Sequence, residues 1–151
     1  MNGIDALATA IMWREGLPGF RPLARSFRNC NPGNLRSPDW PTHDTDGFDI
    51  YGDVIAGYES LTTDLEDKFQ AGKNEHGLGP GSTLLDLFKV YAPTEDGNNP
   101  DSYCVFAAGW LNQALDRPIS VQTTLGEIWS PQAPKRSQWR RRHQAQSNPN
   151  G

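Results

Sequence analysis

Asn2-Gly3-Ile4-Asp5-Ala6-Leu7-Ala8-Thr9-Ala10-Ile11-Met12-Trp13-Arg14-Glu15-Gly16 is the stretch that sets the class of this chain. Ile4, Leu7, Ala8, Ile11 and Met12 fall at i, i+3, i+4, i+7 and i+8, the apolar stripe of an amphipathic helix. Asn2 is an N-cap residue type, and Asp5 lies in the first turn. Gly16 and Pro18 stop the helix, so it is predicted over 2–15 with Glu15 at its carbonyl end. That end carries partial negative charge and disfavours a carboxylate. With any burial, the pKa of Glu15 rises and its proton is retained. A protonated carboxyl is what general-acid cleavage of a glycoside requires. Position alone also fits a solvated glutamate at a frayed helix end.

The chain then runs into Arg28-Asn29-Cys30-Asn31-Pro32-Gly33-Asn34-Leu35-Arg36. Phe48-Asp49-Ile50-Tyr51 follows, and Gly57-Tyr58 opens another helix. Farther on come Tyr91-Ala92-Pro93, Asp96-Gly97-Asn98-Asn99-Pro100 and Tyr103. This order resembles the cell-wall lysins of phages and bacteria in the lysozyme-like superfamily, and the resemblance covers about residues 4–128. It implies a mainly α (α+β) lysozyme-like fold with a small β-hairpin after the first helix. It also implies cleavage of the glycan strand of peptidoglycan, by a muramidase or a lytic transglycosylase. A chitinase- or chitosanase-like glycosidase is the nearer alternative. A non-catalytic glycan-binding virion or structural module is the other.

Between these motifs the chain is readable by local rules. Residues 28–57 lack helical period and hold Pro32, Pro38 and Pro41. They are expected to be loop with short strands, Phe48–Tyr51 pairing with Asn34–Ser37. Tyr58, Leu61, Leu65 and Phe69 give helical period over 58–71. Ser82 or Thr83 caps a helix ending at Tyr91, before Pro93. Asn99-Pro100 starts a helix to about Asp116 that is expected to bury Phe106, Ala107, Trp110 and Leu111. Thr124 and Glu127 form a capping-box pattern before Ile128 and Trp129. Trp110 and Trp129 are expected in the core. Trp13 lies off the stripe, and it and Trp40 are candidates to stack on a sugar face.

Charge divides the chain in two. Residues 130–151 hold Lys135, Arg136, Arg140, Arg141 and Arg142 and no acid, a charge of +5. The total is −4, so residues 1–129 carry −9. Residues 1–130 are expected to form one catalytic domain, and 131–151 a disordered basic tail. The tail is a candidate tether to an anionic envelope surface, with Trp139 as an apolar anchor. An acidic body argues against nucleic acid as a partner. A monomer is expected, with peptidoglycan or a related N-acetylated glycan as its partner. No apolar run approaches the about 20 residues of a membrane span. The basic n-region of a signal peptide is missing as well. Synthesis in the cytoplasm is expected, with action on the wall after release through a pore, a virion or a secretion machine. Cys30 and Cys104 are the two cysteines, too few for a disulfide framework; free thiols are the expected state, and a bridge between the two is the alternative if both segments line one groove. His43, His76 and His143 have no partner at ligand spacing and read as solvated, so neither a metal site nor a cofactor is expected.

The candidate site follows from these parts. Glu15 is the proton donor. Asp44, Asp46, Asp49 and Asp53 lie on the expected hairpin, and Asp49, inside the aromatic strand, is the first choice for a second catalytic carboxylate. A hydrolase needs such a group; a transglycosylase does not, because a hydroxyl of the substrate attacks. Asn29, Asn31 and Asn34 offer amides suited to N-acetyl and hydroxyl groups, although Asn-Pro-Gly-Asn is also a strong turn sequence. Arg28, Tyr51, Tyr91 and Asn98 complete the expected substrate-binding set, Arg28 as a partner for a substrate carboxylate.

Overall fold

A computed structural model describes residues 1–16, 24–69 and 76–129. The predicted tail, with Trp139 and His143, lies outside the described residues. The described chain is mainly helical, with six α-helices and no sheet. None of its helices is long and apolar enough to cross a membrane.

Helix α1 (Gly3–Glu15) starts and stops where its local chemistry directs. The Asn2 side chain accepts from the Asp5 N–H at 2.8 Å. Gly16 takes φ 86° and its N–H closes on the carbonyls of Met12 and Trp13. Ala6 and Ala10 are buried alongside Leu7, Ala8 and Ile11, so burial extends beyond the expected stripe. The reason is position: α1 packs against α3 (Val54–Phe69), α5 (Pro100–Leu115) and α6 (Leu125–Trp129). Small alanines let neighbouring helices approach a central one.

The other helices also obey their caps. Asp53 caps α3 by accepting from the Ala56 N–H at 2.9 Å, so α3 starts four residues before the expected Tyr58. Helix α4 (Leu84–Tyr91) opens on a capping box of Thr83 and Asp86. Helix α5 has Asn99 as N-cap and Pro100 in its first turn. Thr124 and Glu127 exchange hydrogen bonds at the start of α6. A bridge between Thr83 and Thr124 ties the starts of α4 and α6 together. Leu7, Ile11, Leu61, Leu65, Leu87, Phe88, Leu111 and Ile128 fill the core between these helices.

Two expectations fail here for physical reasons. The hairpin is absent among the described residues; what remains is one antiparallel bridge, His43 to Asp49. Pro38 and Pro41 remove ladder donors. Asp44 Oδ1 accepts from the N–H groups of Asp46 and Phe48, closing a side-chain turn where a ladder would run. The Asn34–Ser37 stretch still meets the 48–51 segment, through Asp49 N–H to the Leu35 carbonyl at 2.9 Å. The second failure is Phe106, which is 40% exposed and lies under the Arg14 guanidinium. A four-residue helix, α2 (Arg25–Arg28), was not expected at all. Both cysteines are free, Cys104 buried and Cys30 partly so.

Candidate active site

The Glu15 carboxyl is held by two side chains from distant parts of the chain. Tyr103, on α5, donates its hydroxyl to Oε1 at 2.7 Å. Asn34, in the loop after α2, donates its amide to Oε2. Ser26 of α2 donates to the Glu15 carbonyl at 2.8 Å, which satisfies a helix-end acceptor and pins the loop to α1. Burial pushes the pKa of Glu15 up, against the two hydrogen bonds and the Arg14 charge, which pull it down. Of the two expected causes, the field of the helix end and burial, burial is the leading one.

Asn34 reaches Glu15 because the Asn-Pro-Gly-Asn segment is a rigid turn. Its own φ is 48°, a left-handed conformation that asparagine tolerates better than most residues. Asn31 is fully buried and binds backbone only: its Oδ1 accepts from Leu35 N–H, and its Nδ2 donates to the carbonyls of Leu35 and Asp49. Asn29 is buried too and donates to Asp44 Oδ2 at 2.8 Å. Two of the three asparagines expected to touch substrate therefore build the loop that aims the third. Tyr91 donates its hydroxyl to the Gly33 carbonyl, fastening the same turn to α4.

A cavity of about 670 Å³ opens beside Glu15. Of the expected site residues, Glu15, Asn34, Tyr91 and Asn98 line it. Arg28 is exposed elsewhere, and Tyr51 is buried with its hydroxyl on Asp49. Arg25, Arg36, Lys68 and His76 also line the cavity, although none is among the expected site residues. Trp13 is in ring contact with Trp110 at 5.8 Å, and Trp40 donates its indole N–H to the Ile50 carbonyl. Neither ring lines the cavity, so the sugar-platform expectation is corrected for both.

Asp49 is not at the cavity either. Its side chain is fully buried and accepts from Ser37 N–H, the Ser37 hydroxyl and the Tyr51 hydroxyl at 2.7–3.0 Å. His43 Nε2 lies 3.2 Å from Oδ1, so His43 is paired where it was expected to be merely solvated. The inward turn of the side chain gives the loop a polar centre in place of a strand ladder. Asp44 and Asp46 pair with Arg25, and Asp53 caps α3. All four acids of the expected hairpin therefore have structural partners, and none lines the cavity. Asp49→Asn should accordingly lower stability by about 2–3 kcal/mol: the two hydroxyls donate to Oδ2 and the Ser37 N–H to Oδ1, and an amide has only one acceptor oxygen, so its NH2 must face a buried donor. Thermal melting checks this. An Asp49→Asn protein that melts like the wild type but has lost activity would restore a catalytic role.

Tyr103 holds the Glu15 carboxyl, although it is not among the expected site residues. It stacks on Phe88 at 4.7 Å, and only the packing of α5 on α1 brings it to Glu15. Among the described residues, no group of three or more His, Cys, Asp or Glu side chains could hold a metal ion. Compared with known proteins, the chain matches no family model, no curated protein and no solved structure.

Proposed function

We propose that this protein cleaves the β-1,4 glycan strand of peptidoglycan within a lysozyme-like fold, with Glu15 as the general acid. The observation that carries the reading is Glu15 itself. It is a half-buried carboxyl at a cavity wall, oriented by Asn34 and Tyr103 and biased by burial towards the protonated form. A cavity of about 670 Å³ falls in the range of ligand sites. Fixed donors hold the carboxyl group in one orientation, and such positioning is where general-acid catalysts gain rate.

The four acids of the expected hairpin lie off the cavity, which favours a transglycosylase over a hydrolase unless Asp96 takes the second role. A second carboxylate would have to orient water or stabilise the cationic sugar. Besides Glu15, the cavity-lining acids are Asp64, which pairs with Lys68, and Asp96. In the single-acid course, Glu15 gives its proton to the glycosidic oxygen as the bond to the sugar carbon breaks. The C6 hydroxyl of that same sugar then bonds to the carbon and returns its proton to the Glu15 carboxylate. The product is a 1,6-anhydro sugar, and no water is consumed.

Digestion of purified peptidoglycan and of chitin oligomers, with mass analysis of the products, tests this. Anhydro-muramyl ends are expected from peptidoglycan. Reducing ends would keep Glu15 but convert the reaction to hydrolysis. Cleavage of chitin alone would replace the substrate, and intact strands in both digests would remove the activity.

A further inference from the structure

Arg36 closes the loop that carries Asn34, and its surroundings differ from those of the other cavity cations. Its side chain is exposed and lines the cavity. Its guanidinium lies 4.0 Å from the centroid of Phe48, a ring that is only 9% exposed. Arg25 stacks on the same ring at 4.0 Å, but is committed to Asp44 and Asp46. Lys68 is committed to Asp64. Arg36 makes no ion pair with any described residue. The cation that bears on Glu15 is Arg14, not Arg36.

The loop geometry limits where Arg36 acts. Its backbone is two residues from that of Asn34, at most about 7 Å of chain. Asn34 is on the acid, and Arg36 lines the same cavity from the same short loop. A guanidinium held against an aromatic ring has lost much of its rotamer freedom before a ligand arrives. Its planar donor fork matches a carboxylate and gains little from neutral hydroxyls. Neutral chitin carries no such group. A muramyl sugar carries a lactyl carboxyl, and a stem peptide carries carboxylates of its own.

We propose that Arg36 is a specificity-determining residue that binds a carboxylate substituent of the glycan, so that the site selects acidic amino-sugar strands over neutral ones. This rests on the glycan-cleavage reading above. The stacked guanidinium forms a charge-assisted, two-point contact beside the acid, and the ion-paired Arg25 and Lys68 do not compete for the same group.

The test is binding to full-length protein carrying Glu15→Gln, measured by calorimetry so that no turnover intervenes. The probes are a peptide-free muramyl tetrasaccharide as the free acid, the same tetrasaccharide with its carboxyls converted to amides, and a peptide-bearing strand of equal length. The acid form should bind about tenfold more tightly than the amide form, a factor that shrinks with added salt. Adding Arg36→Gln should bring the two together, while Arg36→Lys should keep part of the preference. If only the peptide-bearing strand shows the Arg36-dependent gain, the carboxylate read is that of the stem. Equal binding of all probes, a preference that survives Arg36→Gln, or no binding of any acid form overturns the proposal. Arg36-dependent preference without cleavage by the wild-type chain would leave this subsite and remove the activity. Cleavage without preference would do the reverse.

Discussion

Glu15→Gln is expected to cut glycan cleavage at least about a hundredfold, the usual scale for losing a general acid. The amide keeps the shape of the carboxyl and can still accept one of the two hydrogen bonds, from Tyr103 or Asn34. It cannot deliver a proton at useful pH. The fold should survive, and stability carries its own signature. Burial raises the Glu15 pKa above its ordinary 4.5, so the folded state holds this proton more tightly than the unfolded chain does. Between the two values the native state binds more protons, and stability falls as pH rises. The wild type therefore carries an ionisation cost above the raised value that Glu15→Gln does not. The stability difference should favour the variant progressively as pH climbs from below 4.5 through that window. Wild-type activity should fall over the same window as the acid titrates. Turnover of soluble glycan and paired melts across pH read both effects. Near wild-type turnover in the variant, or a wild-type rate that keeps rising into alkaline solution, would take Glu15 out of the mechanism.

What could be read from the sequence was whatever is fixed locally. Asn2, Thr83 with Asp86, Asn99 with Pro100, and Thr124 with Glu127 each satisfy orphan backbone donors within four residues, and their helices start as expected. Gly16 places Glu15 at a helix end for the same reason. The misses share a different cause. Asp49 reads as a strand residue facing a cleft, yet its partners Ser37 and His43 come from a fold of the loop that has no period. Tyr103 meets Glu15 across 88 residues of sequence, and no spacing rule reaches that far. Phe106 is an apolar side chain of a helix whose buried face is set by α1 and α4, and it falls outside that face. Asn29, Asn31 and Asn34 are alike as residue types. Only the turn geometry separates the two that build the loop from the one that touches the acid.

Gly57→Ala should produce the second large effect, through the loop that carries Asn34. Gly57 is in the first turn of α3, where the helix meets the loop before Asn34. A Cβ there would stand 2.0 Å from the Cys30 carbonyl oxygen and 2.7 Å from Pro32 Cδ. Neither neighbour is a flexible side-chain end, so the loop or the helix must move. The loop moves as a unit, because Asn31 ties it to Leu35 and Asp49, and Tyr91 ties it to Gly33. Displacing that unit draws Asn34 away from Glu15. Overpacking of this kind costs about 3 kcal/mol. A shift of about 1 Å in a positioning group costs on the order of a hundredfold in rate. The variant should therefore melt earlier and also lose activity per folded molecule. Gly109→Ala is the control: its Cβ meets nothing within 4 Å, and alanine in a helix interior should add about 0.5–1 kcal/mol. Denaturant unfolding, with turnover normalised to the folded fraction, separates the two outcomes. Lower stability with full activity per folded molecule would show that the turn can shift without moving Asn34. Wild-type behaviour in both measurements would show that α3 and the loop are not in the close contact on which the site depends.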